Sequence, residues 1–170
     1  MMEPDSCVPA HLVRRIVRDV ATRTLEDYVG HWLRRAHQSA SATLAKHLRD
    51  ADVTPAQLAT LLRLREVGRI SQNELGRLVA MEPANIHRIA GVLLSRKLVL
   101  AEKDPADARK TLIRLSNKGR ALVEKLEPLH RNATKQTLNA LSPAEKAQLL
   151  DLLKRICGRE VNGQSDVARR

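Results

Sequence analysis

Apolar residues recur at helical spacing through most of the chain between residues 10 and 157. From residue 83 to residue 97 the apolar positions are separated by three or four residues or lie side by side: Ile86, Ile89, Ala90, Leu93 and Leu94. This spacing is typical of an amphipathic helix that buries one side. Because successive residues lie about 100° apart around a helix, Arg88 and Ser95 are expected nearly opposite the apolar stripe.

Helix start and stop signals divide the rest of the chain into segments. Ser or Thr followed three residues later by Glu or Gln, a pattern that caps helices, begins at Thr54, Ser71 and Ser142. Gly68 stands where the first of these helices would end. The sequence predicts a short basic helix over residues 12–20, a long helix over 24–50, two shorter helices on either side of Gly68, and long helices after Ser116 and Ser142.

Two short segments, residues 99–103 and 111–115, fit the period of two of a β-strand; in the second, Thr111, Ile113 and Leu115 share one face and Leu112 and Arg114 share the other. The residues that connect them are polar and rich in turn formers, so the two segments predict a β-hairpin. Two helices joined by a tight turn and followed by a hairpin form a winged helix-turn-helix, a DNA-reading architecture. We therefore predict a mainly α fold with a two-stranded β-wing.

Charge and composition narrow the choice of partner. The 30 Lys and Arg residues exceed the 19 Asp and Glu residues by 11, which favours a polyanionic partner. Nucleic acid is the first choice and an anionic membrane surface the second, while a merely solubilising surface is the plain alternative. Aromatic residues are only 1% of the chain, which argues against RNA binders that stack bases on Phe and Tyr.

The sequence gives no reason to expect an enzyme, a metal site or a cofactor. The six histidines show no ligand spacing, and there is no Gly-rich phosphate loop, nucleophile elbow or paired-carboxylate motif. Cys7 and Cys157 lie near opposite ends of the chain, which fits a reducing cytosol. No apolar run approaches the roughly 20 residues of a membrane span, and no signal pattern precedes Pro9, so we expect a cytoplasmic protein.

The helix over residues 83–97 would lie in the major groove, which admits one helix. Its residues expected at or near the base edges are Ala84, Asn85, His87 and Arg88. Arg109 at the hairpin tip would enter the narrow minor groove, with Asp107 holding its guanidinium. The expected contacts to the DNA backbone come from Ser71, Gln72, Lys103 and Lys110. The alternatives are that Asn85 touches only solvent, that Arg88 is a surface charge and that the tip is an ordinary charged turn.

The order of these elements resembles the MarR family, the multiple antibiotic resistance regulators. The segments that carry the resemblance are Leu58–Leu64, Ser71–Leu75, Ile86–Ile89, Leu93–Leu98, Asp104–Arg109 and Leu115–Gly119. The most specific of them is the Asp-x-Arg wing followed by Leu-Ser/Thr-x-x-Gly. The resemblance extends over residues 25–157. Residues 8–23 form a longer N-terminal extension than is usual, and Ser116 stands where Thr is commoner.

The resemblance implies a homodimeric transcription factor, usually a repressor, that binds a palindromic operator and often responds to small aromatic acids. It gives Asp107 and Arg109 the wing roles, and Asn85, His87 and Arg88 the recognition-helix roles. It also implies that the first and last helices pair with a second copy, which accounts for the apolar positions Leu149, Leu152, Leu153 and Ile156. The expected organisation is therefore flexible tails over 1–9 and 158–170, dimerisation and ligand-pocket helices over 10–52, a winged helix-turn-helix over 53–115, and dimerisation helices over 116–157.

The effector prediction starts from the two aromatic residues of the chain. Tyr28 and Trp32 lie one helical turn apart, and with His31, Arg35 and Arg63 they would line a pocket for an aromatic carboxylate, since rings stack and arginine pairs with the acid. The alternative is that the two aromatic residues pack in the dimer core. Two other functions also stay open: a repressor that senses oxidants through Cys7 or Cys157, and an architectural DNA-binding protein without operator preference.

Overall fold

The structure is a computed structural model, and it describes residues 24–107 and 109–158. The short helix predicted over residues 12–20 and nearly all of the two predicted tails lie outside these residues. The chain divides within its first described helix into two units, one up to Ser39 and the other from Ala40 onward. Each unit is described by itself.

The described helices and strands follow the predicted order, with one addition. Their bounds are α1 Val29–Leu48, α2 Pro55–Val67, β1 Arg69–Ser71, α3 Gln72–Leu78, α4 Pro83–Ser95, β2 Val99–Lys103, β3 Thr111–Leu115, α5 Asn117–Thr137 and α6 Pro143–Ile156. This mainly helical fold with a small antiparallel sheet confirms the predicted fold class. No helix in the described ranges is both long enough and apolar enough to span a membrane.

The predicted helix over 24–50 is shorter than expected at both ends. Thr24 donates its backbone N–H to the Asp27 carboxylate at 2.8 Å, a local bond that supports a 3-10 turn over Leu25–Asp27. Tyr28 is then extended, so α1 begins at Val29. At the other end α1 stops at Leu48, and a second 3-10 turn leads to Asp52 in the left-handed region, with φ of 50°.

The main core of the second unit lies between α2, α3, α4 and the sheet. It confirms the apolar stripe predicted for α4, because Ile86, Ile89, Ala90 and Leu93 are buried and Leu94 is half-buried. These side chains pack with buried leucines of α2 and α3 and with Val99, Ile113 and Leu115 of the sheet. The alternation of β3 is therefore also confirmed, since Ile113 and Leu115 face the core while Arg114 between them does not.

The sheet has a third strand that the sequence did not predict. Its strand order is β1-β3-β2, and β1 pairs antiparallel with β3 so that Arg69 lies opposite Arg114 and Ser71 opposite Leu112. The hairpin itself has Val99 opposite Leu115 and Lys103 opposite Thr111. A strand of three residues is too short to show a period of two, and its pairing partner is distant in sequence.

The predicted helix caps differ in how fully they form. The reciprocal bonds of the capping box are present at Thr54 with Gln57 and at Ser142 with Glu145. At Ser71 only one half is present: the Ser71 hydroxyl accepts from the Glu74 N–H at 3.4 Å, and the Glu74 carboxylate accepts from that hydroxyl at 2.6 Å. Ser71 is also the last residue of β1, so its backbone belongs to the sheet.

Two helices bury little of their apolar surface. Leu48 is the one buried residue of α1, and it packs with Val53, Leu58 and Leu126 in a second, smaller core. None of the residues of α6 is buried, and Leu150, Leu152 and Ile156 are exposed. The second unit thus leaves one helix with an apolar surface that the described residues do not cover.

Candidate nucleic-acid interface

A close approach of α3 and α4 sets the position of the second helix. Gly76 is buried where the two helices meet, and a Cβ there would lie 3.0 Å from Ile86 Cγ2 and 3.3 Å from the Met81 carbonyl oxygen. The Met81 N–H donates to the Gly76 carbonyl at 2.9 Å, which closes the turn between the helices. The absent side chain of Gly76 thus lets α3 support α4 from behind while the opposite side of α4 faces solvent.

The first two turns of α4 present the predicted recognition residues to solvent. Pro83 starts the helix, where its missing N–H costs no hydrogen bond. The exposed residues of these turns include all four that the sequence singled out: Ala84, Asn85, His87 and Arg88. Their exposure follows from the burial of Ile86 and Ile89, which fixes the rotation of the helix. Contact of these residues with DNA stays a prediction.

The wing tip holds its arginine in a defined place. Asp107 Oδ1 accepts from the Arg109 backbone N–H at 3.1 Å and from Arg109 Nε–H at 3.3 Å. The Arg109 side chain is nevertheless 94% exposed. One hydrogen bond, from the Asp104 N–H to the Lys110 carbonyl at 3.0 Å, closes the base of the tip. The contact that the sequence predicted between Asp107 and Arg109 is therefore present, on a side chain that projects away from the protein.

Two lysines flank the same tip. Lys103 is exposed at the end of β2, opposite Thr111. Lys110 is exposed and places its Nζ 4.0 Å from Asp107 Oδ2, a weak contact that leaves the ammonium accessible. Further from the tip, Arg114 Nε donates to the Glu102 carboxylate at 2.8 Å across the two strands. The wing thus presents more uncompensated positive than negative charge at its end.

A groove of about 420 Å³ connects the helices with the wing. Its lining comes from the end of β1, the start of α3, the exposed side of α4 and the base of the wing: Ser71, Gln72, Asn73, His87, Lys110 and Thr111. The structure therefore brings together four residues that the sequence had assigned to DNA contacts. Asn73 and Thr111 were missed, and their only sequence signal is that they adjoin Gln72 and Lys110.

The Leu-Ser-x-x-Gly sequence joins the end of α4 to the start of α5. The Ser116 hydroxyl accepts from the Gly119 N–H at 3.0 Å and donates to the Lys97 carbonyl at 2.8 Å. Lys97 itself is in the left-handed region, with φ of 58°, and ends the last turn of α4. Lys118 Nζ donates to the Arg96 carbonyl at 3.1 Å. The carboxyl end of α4 is thus bound to the first turn of α5.

Ion pairs also connect α2 with α5, and the end of α4 with the segment that follows α1. Arg65 of α2 donates from Nη1 to Glu127 of α5 at 2.8 Å, and this hydrogen bond lowers the pKa of the Glu127 carboxyl below its ordinary value of 4.5. Arg96 of the α4 turn donates to the backbone carbonyl of Asp52, and its guanidinium lies 3.5 Å from the Asp52 carboxylate. These exposed pairs are individually weak, but they join elements that are distant in sequence.

Four of the five predicted effector residues lie together in the first unit. Trp32 Nε1–H donates to the Glu26 carbonyl at 2.8 Å, the Arg35 guanidinium lies 5.5 Å from the Trp32 ring centroid, and the His31 ring meets Trp32 edge-on at 5.6 Å. About half of Tyr28 and of Trp32 is exposed. Arg63 belongs to the second unit, where it pairs with Glu66 at 2.6 Å.

Other site types receive no support from the described residues. Between residues 24 and 158, apart from residue 108, no group of three or more His, Cys, Asp or Glu side chains is placed to hold a metal ion. Cys157 is exposed and unpaired, and Cys7 lies outside the described part of the chain.

Residues 51–110 match the model of the MarR family. The chain is 33% identical over 136 residues to NicR of Pseudomonas putida, an HTH-type transcriptional repressor. The matched region covers 80% of this chain and 86% of NicR. BpsR of Bordetella bronchiseptica, whose DNA binding is regulated by 6-hydroxynicotinic acid, superposes with a TM-score of 0.75 at 33% identity over 85% of this chain and 99% of BpsR. A mutant MarR from E. coli in complex with operator DNA gives a TM-score of 0.71 at 25% identity over 76% and 94% of the two chains.

Proposed function

Because the chain belongs to the MarR family of transcriptional regulators, we propose that it is a repressor that binds a pseudo-palindromic operator as a homodimer and is released by a small aromatic acid. The DNA-binding part of this proposal has its main support in one observation. The groove that is lined by His87 and Lys110 joins the exposed side of α4 to a projecting wing, and both belong to one unit.

In the proposed complex α4 lies in the major groove and the wing reaches the adjacent minor groove. Asn85 pairs with adenine and Arg88 with guanine, and each good bidentate contact contributes about 1–3 kcal/mol of discrimination. Arg109 enters the minor groove, where a narrow A·T-rich segment has the strongest negative potential. Lys103 and Lys110 bind phosphates and provide affinity that depends on salt but not on sequence.

A second copy of this chain is the partner that best explains the uncovered helix surfaces. In α6 the exposed apolar residues are Leu150, Leu152 and Ile156, and in the first unit they include Leu25 and Val29. Apolar residues of this size favour burial by about 1.5–3 kcal/mol each. A twofold dimer through the first and last helices covers them and places two α4 helices about one DNA turn apart, which requires a pseudo-palindromic site.

The proposed effector is an aromatic carboxylate that binds beside Trp32. The relative BpsR responds to a molecule of this class, and Trp32 of this chain stands beside both a cationic side chain, Arg35, and an imidazole, His31. A ring would stack on the indole and the acid would pair with the guanidinium. The ligand releases DNA only by as much as it binds the free conformation better than the DNA-bound one.

The test begins by selecting operator sequences from random duplexes with the purified full chain and measuring Kd for the selected and a scrambled duplex by fluorescence anisotropy. A repressor should prefer its operator by roughly 10³-fold or more. Arg109→Ala should raise the operator Kd roughly 5- to 150-fold, the equivalent of about 1–3 kcal/mol, without loss of folding.

Lys125→Ala is the matched control, since it removes one positive charge from an exposed position of α5. It should leave the operator Kd nearly unchanged. Equal Kd values for the operator and the scrambled duplex would instead favour an architectural DNA-binding protein. An Arg109→Ala protein that binds like the Lys125→Ala control would refute the wing assignment.

A further inference from the structure

The groove between α3, α4 and the wing is lined by polar side chains. Among the described residues, the six side chains that line it are all polar, with two hydroxyls, two carboxamides, one ammonium and one imidazole, and none of these six is a carboxylate. The Ser71 hydroxyl already donates to Glu74, but the other five side chains can donate a hydrogen bond to a ligand, and a protonated imidazole donates from both nitrogens. The chemistry of the lining therefore suits an anion with several acceptor oxygens.

The proposed position of DNA brings such an anion to the groove. When α4 is in the major groove and Arg109 is in the adjacent minor groove, the strand that separates the two grooves has to pass between α4 and the wing. The groove occupies that place. We infer that the groove holds a phosphodiester segment of this strand, and that His87 is a phosphate ligand that acts in its protonated form, not a reader of base edges. This inference rests on the proposed DNA-binding function.

The charged groups around the groove leave His87 free for this role. On its own helix the residues one turn away are Pro83, Ala84, Ala90 and Gly91, none of which titrates. From the wing, Lys110 lines the groove, and Asp107 is already bonded to Arg109 and lies near Lys110. From α3, the carboxylate of Glu74 accepts the Ser71 hydroxyl. The neighbouring residue Arg88 adds another positive charge on α4.

A phosphate beside His87 links DNA binding to protons. Histidine is the side chain that changes charge between about pH 5 and pH 8, and a neighbouring anion favours its charged form. Bound DNA therefore raises proton occupancy at His87, so operator binding takes up protons and becomes tighter as the pH falls. Each subunit contributes at most one proton, which corresponds to at most about tenfold in Kd per pH unit.

The experiment measures operator and scrambled-duplex Kd at pH 6.0 and pH 8.0, over a range of salt concentrations, for the full-length protein and three variants. For the unmodified chain we expect the operator Kd at pH 6.0 to be lower than at pH 8.0 by a factor of roughly ten or more. The slope of log K against log salt should also be steeper at pH 6.0, by about 1 for each protonated imidazole. His87→Gln should bind weakly at both pH values with little pH dependence. His87→Lys should bind tightly at both, because its charge is permanent.

His37→Gln is the matched control, since it removes an exposed histidine of the first unit, outside the groove, and should keep the full pH dependence. If His87→Gln keeps that dependence, or if it lowers the preference for the operator over scrambled DNA, the phosphate assignment is wrong. The second result would mark His87 as a base reader. Failure of the proposed function looks different, because the unmodified chain would then show no operator preference at either pH.

Discussion

Gly119 lies in the first turn of α5, against the carboxyl end of α4, and replacing it with alanine should destabilise the fold. A Cβ at this position would lie 2.0 Å from the Leu98 carbonyl oxygen and 3.0 Å from its carbonyl carbon. Both atoms are backbone, so a change of rotamer cannot relieve the overlap. Leu98 would have to move by more than 1 Å to restore an ordinary contact of about 3.5 Å.

Movement of Leu98 would disturb several hydrogen bonds. Its carbonyl accepts the Ser116 N–H at 3.1 Å, and its own N–H donates to the Leu93 carbonyl at 2.9 Å to close the end of α4. Overpacking costs about 1–3 kcal/mol, and each weakened hydrogen bond costs about 1 kcal/mol more. The helix propensity of alanine returns about 1 kcal/mol. We therefore expect Gly119→Ala to lower the free energy of unfolding by about 2–4 kcal/mol.

Urea unfolding followed by circular dichroism at 222 nm, at one fixed protein concentration, measures this difference. Gly91→Ala is the matched control, because Gly91 is also helical and a Cβ there meets nothing within 4 Å. That variant should be as stable as the unmodified chain or more stable by up to about 1 kcal/mol. If the two alanine variants unfold at the same urea concentration, the close approach of α4 and α5 is not what requires glycine at position 119.

Three further results are expected. Glu127→Gln should lower the urea midpoint at pH 7, because Arg65 holds the folded-state pKa of Glu127 below its ordinary value of 4.5. The difference from the unmodified chain should shrink below pH 4.5, since this stabilisation is lost as the pH falls through the folded-state pKa. An equal difference at pH 7 and pH 3.5 would contradict this. Ile156→Asp should shift sedimentation equilibrium toward monomer by placing a charge in the proposed dimer interface, and an unchanged dimer would argue against α6 as its surface. Trp32, the chain's one tryptophan, should change its fluorescence on titration with nicotinate or 6-hydroxynicotinate but not with cyclohexanecarboxylate, whereas a response to neither class would remove the support for an aromatic pocket there.

The parts of the fold that depend on local sequence were the parts that could be predicted. The stripe of α4 was visible because the burial of Ile86 and Leu93 imposes one period on a single helix. The contact between Asp107 and Arg109 is also local. Two residues that are two positions apart in one turn stay close in space whatever the rest of the fold does, so their hydrogen bond was predictable. In contrast, β1 exists only through its pairing with β3, and nothing in its three residues indicates that partner.

The candidate site shows the same division. The sequence selected His87, Lys110 and Gln72 separately, but their common groove forms only when Gly76 lets α3 and α4 pack closely and the wing folds back beside them. The Leu-Ser-x-x-Gly sequence was recognised as a pattern, yet the glycine is required by the Leu98 carbonyl, which lies in the turn between α4 and β2. Such requirements come from tertiary contacts, which periodicity and spacing do not contain.

The hydrogen bond between Asp107 and Arg109 has a consequence for the rate at which the proposed DNA complex dissociates. An unrestrained arginine side chain loses about 2 kcal/mol of rotamer entropy when it is immobilised, and the bond through Nε removes part of that freedom before any duplex arrives. The four N–H groups on the two Nη atoms stay available, since Asp107 occupies only the Nε–H. The wing is therefore preorganised, and its contribution to complex lifetime should exceed the contribution of a freely rotating cation at the same place.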